Sequence, residues 1–167
     1  MSIQVGIGIG TEQDPRAAVF TAVNQAKSSL NSEKIDLALV FSSIEFSHSS
    51  VLKIISSLLD APPIIGCSTF ALITHQGILK YGIAVMLLSL PRGTFVNSAA
   101  VQNVSAKSIT AVGEELGEKL LRGFSNMPRD CGLILSDGLI KNESELALGI
   151  QERLGASVPL IGGLASD

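Results

Sequence analysis

The stretch APPIIGCSTF, Ala61–Phe70, closes the pattern that decides the fold of this chain. Its branched apolar residues are followed at once by small ones, which is typical of a buried strand and its exit loop. Upstream, Ile35–Phe41 is a continuous apolar run and predicts a second buried strand. Between the two, Val51, Ile55 and Leu58 recur at helical spacing. This order predicts a right-handed β-α-β unit with two parallel strands.

A similar pattern returns near the end of the chain. Cys131–Gly138, CGLILSDG, predicts a strand with its exit loop, and Ser157–Asp167, SVPLIGGLASD, predicts the next strand after a helix. Gly66 and Gly162, which close the two patterns, lie 96 residues apart. The sequence therefore predicts two pseudo-repeated β-α-β units. Duplication of one unit and the common sequence pattern of α/β proteins each explain this similarity.

The remaining segments predict further strands and helices around these units. Ile3–Gly10 alternates as a strand does, and Asp14 followed by proline is typical of a helix start. Gly77–Leu90 and Thr94–Val101, joined by a Pro-Arg-Gly turn, predict an antiparallel hairpin. We therefore expect a single α/β domain over residues 1–167. Its sheet should be mixed and largely parallel, with helices on both faces and one antiparallel hairpin.

The composition favours a buried core and excludes several classes of protein. Hydrophobic residues make up 46% of the chain and charged residues 16%, whereas an ordinary soluble domain has about 25% charged residues. The net charge of −3 and the scattered cations argue against nucleic acid and anionic membranes as partners. The longest apolar run, Gly82–Leu90, is about half the length of a bilayer span. No signal peptide and no disulfide framework are visible, so we expect a cytoplasmic protein.

Small and polar residues follow the predicted strands of both β-α-β units. Because the carboxyl ends of parallel strands lie at the same edge of a sheet, we expect these residues to form a ligand site. Glycines let the backbone approach a ligand, and hydroxyl and carboxylate groups bind it by hydrogen bonds. This chemistry suits a small polar molecule, whereas the alternative is that these residues only form tight turns. The candidate ligand-binding residues are Ser42, Ser43, Gly66, Cys67, Ser68, Thr69, Ser136, Asp137, Gly138, Gly162, Gly163 and Asp167.

The motifs VGIG, IIGCST, LILSDG and PLIGGLASD occur in this order over nearly the whole chain. Together they resemble the FIST N-terminal domain of F-box and intracellular signal transduction proteins. The resemblance implies a sensory domain that binds a small ligand, with amino acids proposed. It also implies an output partner of the kinase, cyclase or chemotaxis type, or a C-terminal companion domain. Ala71 and Leu72 stand where the family commonly has Gly-Glu, and the family's domain continues beyond the last motif, which implies a truncated domain here.

Two other classes of function stay open on the sequence. An acyl-transfer or hydrolase-like enzyme would use Cys67 as its nucleophile, with His48 or His75 as the base. A protein-binding adaptor would use the same edge of the sheet without a small ligand. Neither histidine has an acidic residue placed to orient it nearby in the sequence, and the Cys and His spacings match no zinc site. We therefore predict a binding protein with no catalytic residue, no metal and no cofactor.

Overall fold

A computed structural model describes residues 2–124 and 127–165 of the chain. The described chain forms two compact units, the first extending to Val96 and the second from Asn97 to Leu164. Each unit has its own apolar core. That both belong to one domain over residues 1–167 stays a prediction.

The first unit is built on a four-stranded mixed sheet, in which the strands lie in the order β1 (Gln4–Gly10), β6 (Ile83–Ser89), β2 (Leu37–Ser43) and β3 (Ile64–Thr69). Strands β1, β2 and β3 run in the same direction, and β6 runs antiparallel between β1 and β2. This confirms the predicted α/β class and the mixed, largely parallel sheet. The elements of this unit are β1 (Gln4–Gly10), α1 (Pro15–Ser29), β2 (Leu37–Ser43), α2 (His48–Leu58), β3 (Ile64–Thr69), β4 (Leu72–Thr74), β5 (Gly77–Leu79) and β6 (Ile83–Ser89).

An antiparallel hairpin is present, but it lies earlier in the chain than the sequence predicted. It is formed by β4 and β5, and Gly77 takes a positive φ of 108° at the turn between them. The predicted second arm, Thr94–Val101, is not a strand. The reason is that β6 is hydrogen-bonded on both edges, to β1 and to β2, so that it has no free edge for a following strand.

Helix α1 lies directly on three alternate glycines of β1. A Cβ atom at any of them would come within about 2 Å of an α1 carbonyl oxygen, which no side chain tolerates. Alanines four residues apart on the helix face these glycines. The VGIG motif is thus a strand whose missing side chains let the helix approach. The pairs are Gly6 with Ala26 at 2.1 Å, Gly8 with Ala22 at 1.9 Å and Gly10 with Ala18 at 2.0 Å.

Both helices of the first unit pack on the same face of the sheet, whereas the sequence predicted helices on both faces. The ammonium of Lys27 on α1 donates to the carbonyl oxygen of Leu58 at the end of α2 at 2.7 Å. Two right-handed crossovers that advance in the same direction place both helices on one side. The opposite face carries the alternate residues Ile7, Leu39 and Met86, which stay partly exposed.

The second unit packs two helices on a pair of strands, β7 (Gly132–Asp137) and β8 (Leu160–Ala165). The backbone N–H of Gly132 donates to the carbonyl oxygen of Pro159 at 2.9 Å, and Gly162 lies against Ile134. Because residue number increases together along both strands, they run in the same direction. The elements of this unit are a 3₁₀ turn (Val104–Ala106), α3 (Ile109–Phe124), β7 (Gly132–Asp137), α4 (Glu143–Leu154) and β8 (Leu160–Ala165).

Helices α3 and α4 approach each other through glycines. A Cβ atom at Gly113 would lie 2.4 Å from the carbonyl oxygen of Leu146, and one at Gly149 would lie 2.5 Å from that of Thr110. Around this contact, Val112, Leu146 and Ile150 form the buried core of the unit. The close approach leaves little space between the helices and explains why small residues occupy the middle of both.

The helices of both units are short. Helix α1 has 15 residues and α3 has 16, whereas about 20 apolar residues are needed to cross a bilayer. In the part of the chain that the structure describes, no helix has both the length and the apolar character of a membrane span.

Candidate functional site

The first group of predicted site residues lies at the carboxyl ends of β2 and β3. These strands are parallel neighbours, and their register pairs Ser42 with Ser68 and Ser43 with Thr69. Successive residues of a strand face opposite sides of the sheet, so the two pairs lie on opposite faces. The structure therefore brings these four residues to one edge of the sheet, as predicted. One pair lies on each face of the sheet at this edge.

Three of these hydroxyl-bearing side chains are buried. Ser42 is 5% exposed, Ser43 is 0% exposed and Ser68 is 7% exposed. A buried hydroxyl is costly unless it has a hydrogen-bond partner. The Ser43 hydroxyl accepts from the backbone N–H of Gly82 at 3.2 Å, while its own N–H donates to the Gly82 carbonyl at 2.9 Å. Ser43 thus helps to hold the start of β6 at this edge.

Gly66 has a structural reason to be glycine. A Cβ atom there would lie 1.7 Å from the carbonyl oxygen of Val40 on the neighbouring strand. Its φ lies outside the left-handed region, so close approach of the two strands accounts for the residue. Cys67, partly buried, pairs with Phe41 on the face opposite to Ser68. Cys67 and Ser68 therefore face opposite sides of the sheet.

A carboxylate that the sequence did not point to stands at the same edge. Glu12 follows β1, and β1 reaches this edge because β6 lies between it and β2. The hydroxyl of Thr21 on α1 donates to Glu12 Oε1, and this bond, with the backbone N–H of Glu12 itself, lowers the pKa of the carboxyl. Burial opposes this shift without reversing it. The other oxygen, Oε2, is buried without a hydrogen-bond partner in the described residues.

The second group of predicted site residues lies at the ends of β7 and β8. Ser136 and Asp137 are the last residues of β7, and Gly138 stands in the exposed turn that follows. The Asp137 carboxylate is exposed and accepts from the backbone N–H of Leu139 at 2.8 Å. Ser136 is partly buried, whereas Asp137 and Gly138 are exposed, so this group is more open to solvent than the serines of the first group.

Gly162 and Gly163 are neighbours on β8 with opposite surroundings. A Cβ atom at Gly162 would lie 2.0 Å from the carbonyl oxygen of Ile134, whereas one at Gly163 would meet nothing within 4 Å. Gly162 repeats the role of Gly66, and Gly163 leaves space beside the strand. Asp167, the last predicted site residue, lies outside the described residues. That the two groups line one pocket stays a prediction.

Neither predicted base sits inside the protein. His48 begins α2, and His75 lies in the turn of the β4–β5 hairpin; both are exposed. Over residues 2–124 and 127–165, no group of three or more His, Cys, Asp and Glu side chains could hold a metal ion. The carboxyl edge of the first unit offers hydrogen bonding by hydroxyl groups, by backbone amides and by the carboxylate of Glu12.

Comparison with known proteins gives one family. A family model described as the FIST N domain matches residues 36–167, which is most of the chain. No curated protein matches it. Among solved structures, the chain is similar to an FtsZ-like protein of unknown function from Nostoc punctiforme PCC 73102, with 14% identity over 53% of this chain and 93% of that one. The TM-score of that superposition is 0.25.

Proposed function

The chain belongs to the FIST N domain family of signal-transduction sensory domains, and on this basis we propose that it binds a small polar ligand at the carboxyl edge of its strands. Ligand binding would then regulate a signalling partner of the kinase, cyclase or chemotaxis type, or a companion domain. The observation that carries the proposal is the pair of buried hydroxyl groups of Ser42 and Ser68, which lie beside each other on one face of the sheet at the ends of β2 and β3. Buried polar side chains at this edge of an α/β sheet are typical of ligand sites.

The charges at the edge favour a ligand with an amino group. Glu12 is ionised at neutral pH, as an ordinary glutamate is, and its lowered pKa extends this to lower pH; one of its oxygens has no partner in the described residues. An ammonium group would satisfy that oxygen by a charge-assisted hydrogen bond. The serine hydroxyls, which both donate and accept, suit a carboxylate or amide. An amino acid or a similar small zwitterion combines these groups, which agrees with the ligand class expected from the sequence.

We propose that Cys67 has no catalytic role. Its side chain faces away from Ser42 and Ser68, beside Phe41, and it is partly buried. We therefore expect Cys67→Ser to leave ligand affinity unchanged. A hydrolytic or acyl-transfer activity of the wild type that this substitution abolishes would replace the sensor proposal with an enzyme.

A thermal-shift screen tests ligand binding directly. We would screen amino acids, other small carboxylates and nucleotides against the wild type, Ser42→Ala, Ser68→Ala and Glu12→Gln. A ligand at about 100 times its dissociation constant stabilises the fold by about 2.7 kcal/mol, which raises the melting temperature by several degrees.

The matched control is Ser57→Ala, on the exposed face of α2, whose hydroxyl bonds only the nearby carbonyl of Ile54. We expect an amino-acid hit that the control keeps and that Ser42→Ala and Ser68→Ala lose while they remain folded. If Glu12→Gln loses the thermal shift only for ligands that carry an amino group, the ammonium group binds beside Glu12. A hit that survives all three site substitutions would place the site elsewhere, and a screen without any hit would favour the adaptor.

A further inference from the structure

Helix α1 carries a polar stripe along the outer edge of β1. The stripe is formed by Thr21, Gln25 and Ser29, which are four residues apart and therefore lie on one side of the helix. The backbone N–H of Ile9 donates to Gln25 Oε1 at 2.8 Å, and that of Ile7 donates to the Ser29 hydroxyl at 3.1 Å. Both bonds lie within the first unit and join a helix to the strand that precedes it.

The geometry of the two elements allows these bonds to repeat. Four residues of a helix advance about 6 Å, and two residues of a strand advance about 6.8 Å. Because α1 and β1 run in opposite directions, Gln25 and Ser29 come opposite Ile9 and Ile7 in turn. Successive residues of a strand direct their N–H groups to opposite sides, so these two point away from β6. The polar stripe thus occupies N–H groups that a further strand would use.

The sequence of β1 does not protect this edge. Strand β1 is the last strand of its sheet among the described residues. Its sequence, QVGIGIG, contains no charged residue and no proline, which are the residues that commonly keep an edge strand from pairing with another chain. The side chains of α1 supply this protection instead, because a helix that covers the edge has the same effect.

Helix α3 shows that the acceptors of the polar stripe are matched to a strand. Helix α1 begins at Pro15 and α3 at Ile109, 94 residues later. At this spacing the residue in the place of Gln25 is Lys119, which donates to the carbonyl oxygen of Ala100 at 3.0 Å. The segment around Ala100 is not a strand. Where no strand presents a row of N–H groups, the helix carries a donor in place of the acceptor.

We propose that Gln25 and Ser29 close the outer edge of β1 and keep this chain from pairing there with a second copy of itself. The pairing that they prevent is antiparallel, β1 with β1, which is self-complementary and closes at two copies. Both side chains are exposed. They therefore act by hydrogen bonding to the strand, and not by filling the core.

The double variant Gln25→Ala/Ser29→Ala, made in the full 167-residue chain, opens this edge. We expect analytical ultracentrifugation to show self-association at least about tenfold tighter than that of the wild type. Amide hydrogen exchange, read by NMR, should show Ile7 and Ile9 protected in the wild type at every protein concentration. In the double variant the same two amides should exchange fast in dilute solution and become protected as the concentration rises.

Two further variants separate edge pairing from other causes. Asn24→Ala/Ser28→Ala is the matched control, because it changes exposed neighbours on α1, and the Ser28 hydroxyl donates within the helix, to the Gln25 carbonyl at 2.8 Å. It should behave like the wild type. Val5→Lys, added to the double variant, places a charge at an exposed position of β1. It should reverse the association, because a charged edge strand resists pairing.

Three results would overturn the proposal. Fast exchange of Ile7 and Ile9 in the wild type would show that the polar stripe does not hold these N–H groups. A double variant that associates no more tightly than the control would show that the edge needs no protection. Association that survives Val5→Lys, with both amides unprotected, would place the contact elsewhere. If the double variant does not fold, Gln25→Ala and Ser29→Ala are tested singly by the same two measurements.

Discussion

The two units use glycine in different places, and the difference decides which surfaces meet. In the first unit the glycines lie in β1, and helix α1 is seated directly on the strand. In the second unit they lie in α3 and α4, and the two helices approach each other. The same order of helix, strand, helix and strand therefore gives a tight helix–sheet contact in one unit and a tight helix–helix contact in the other.

Corresponding positions also carry different polar contacts. Thr21 of α1 donates to the carboxylate of Glu12, and this bond is partly buried. The corresponding residue of α3, Glu115, forms ion pairs with Lys107 and Lys119 at the surface. Both arrangements lower the pKa of a carboxyl, one chiefly through a hydroxyl and the other chiefly through ammonium groups. They should respond differently to salt, because exposed ion pairs are screened and buried hydrogen bonds are not.

The largest expected effect is that of Gly8→Val, which tests whether the two units are independent. The new side chain would collide with the Ala22 carbonyl, where even a Cβ atom would lie at 1.9 Å. We expect a loss above about 4 kcal/mol in the free energy of unfolding, enough to unfold the first unit. Hydrogen exchange should still show protected amides in α3 and α4. Loss of protection in both units at once would show a single cooperative domain, and Ile7→Val on the exposed face is the control.

A smaller effect is expected from two neighbouring glycines of the second unit. Gly162→Ala places a methyl carbon 2.0 Å from the Ile134 carbonyl oxygen, so the two strands must move apart, and it should cost about 3 kcal/mol or more. Gly163→Ala meets open space and should be neutral or stabilise by about 0.5 kcal/mol, because alanine loses less conformational freedom in a strand. Urea melts of the two variants measure both values. Equal losses would mean that the contact between β7 and β8 is looser than described.

A still smaller effect is expected from Thr21→Val, and it should depend on pH. The folded state lowers the pKa of Glu12 below 4.5, so the stabilisation is complete above that value and is lost as pH falls through the lowered pKa. Removing the hydroxyl should cost about 1 kcal/mol at pH 7. The gap between wild type and variant should narrow below pH 4.5 and stay unchanged in 1 M NaCl. A gap that stays constant while NMR shows the Glu12 carboxyl becoming protonated would exclude this bond as its cause.

The smallest effect is expected from Glu115→Gln in the second unit. Its carboxylate contacts Lys107 and lies 2.9 Å from the Lys119 ammonium, and both pairs are partly exposed. Exposed pairs of this kind contribute little to stability, and 1 M salt reduces the Debye length to about 3 Å. Thermal melting should show a slight destabilisation at low salt that disappears at high salt. A salt-independent loss would indicate that Glu115 acts by packing.

The sequence predicted local elements well and long-range neighbours poorly. The strands around Ser42, Gly66 and Ser136 were recognised because buried strands are continuous apolar runs that end in small residues. The position of β6 was missed because pairing across the sheet depends on contacts far apart in the sequence. Glu12 was missed for the same reason, since only the insertion of β6 brings the end of β1 to the edge that carries the serines.

The glycines show the same limit at the level of single residues. The spacing of Gly66 and Gly162 revealed the repeat, and a ligand or a turn was the expected reason for both. The structure gives a further reason, since each glycine lies against the carbonyl oxygen of a neighbouring strand, and that either glycine contacts a ligand stays a prediction. Sequence alone does not distinguish a glycine that makes room for a ligand from one that makes room for the backbone of a neighbouring strand, because both uses require only that the Cβ atom is absent.

The place of β6 sets an order of events during synthesis. Strands β1 and β2 leave the ribosome long before Ile83–Ser89, yet they are joined only through that later strand. Until Ser89 has emerged, the sheet lacks its centre, and β1 with α1 is a separate piece from β2, α2 and β3. Contacts between distant parts of a chain slow folding, and unpaired strand edges favour aggregation in the meantime. The nascent chain is therefore most in need of a chaperone between the completion of β1 and that of β6.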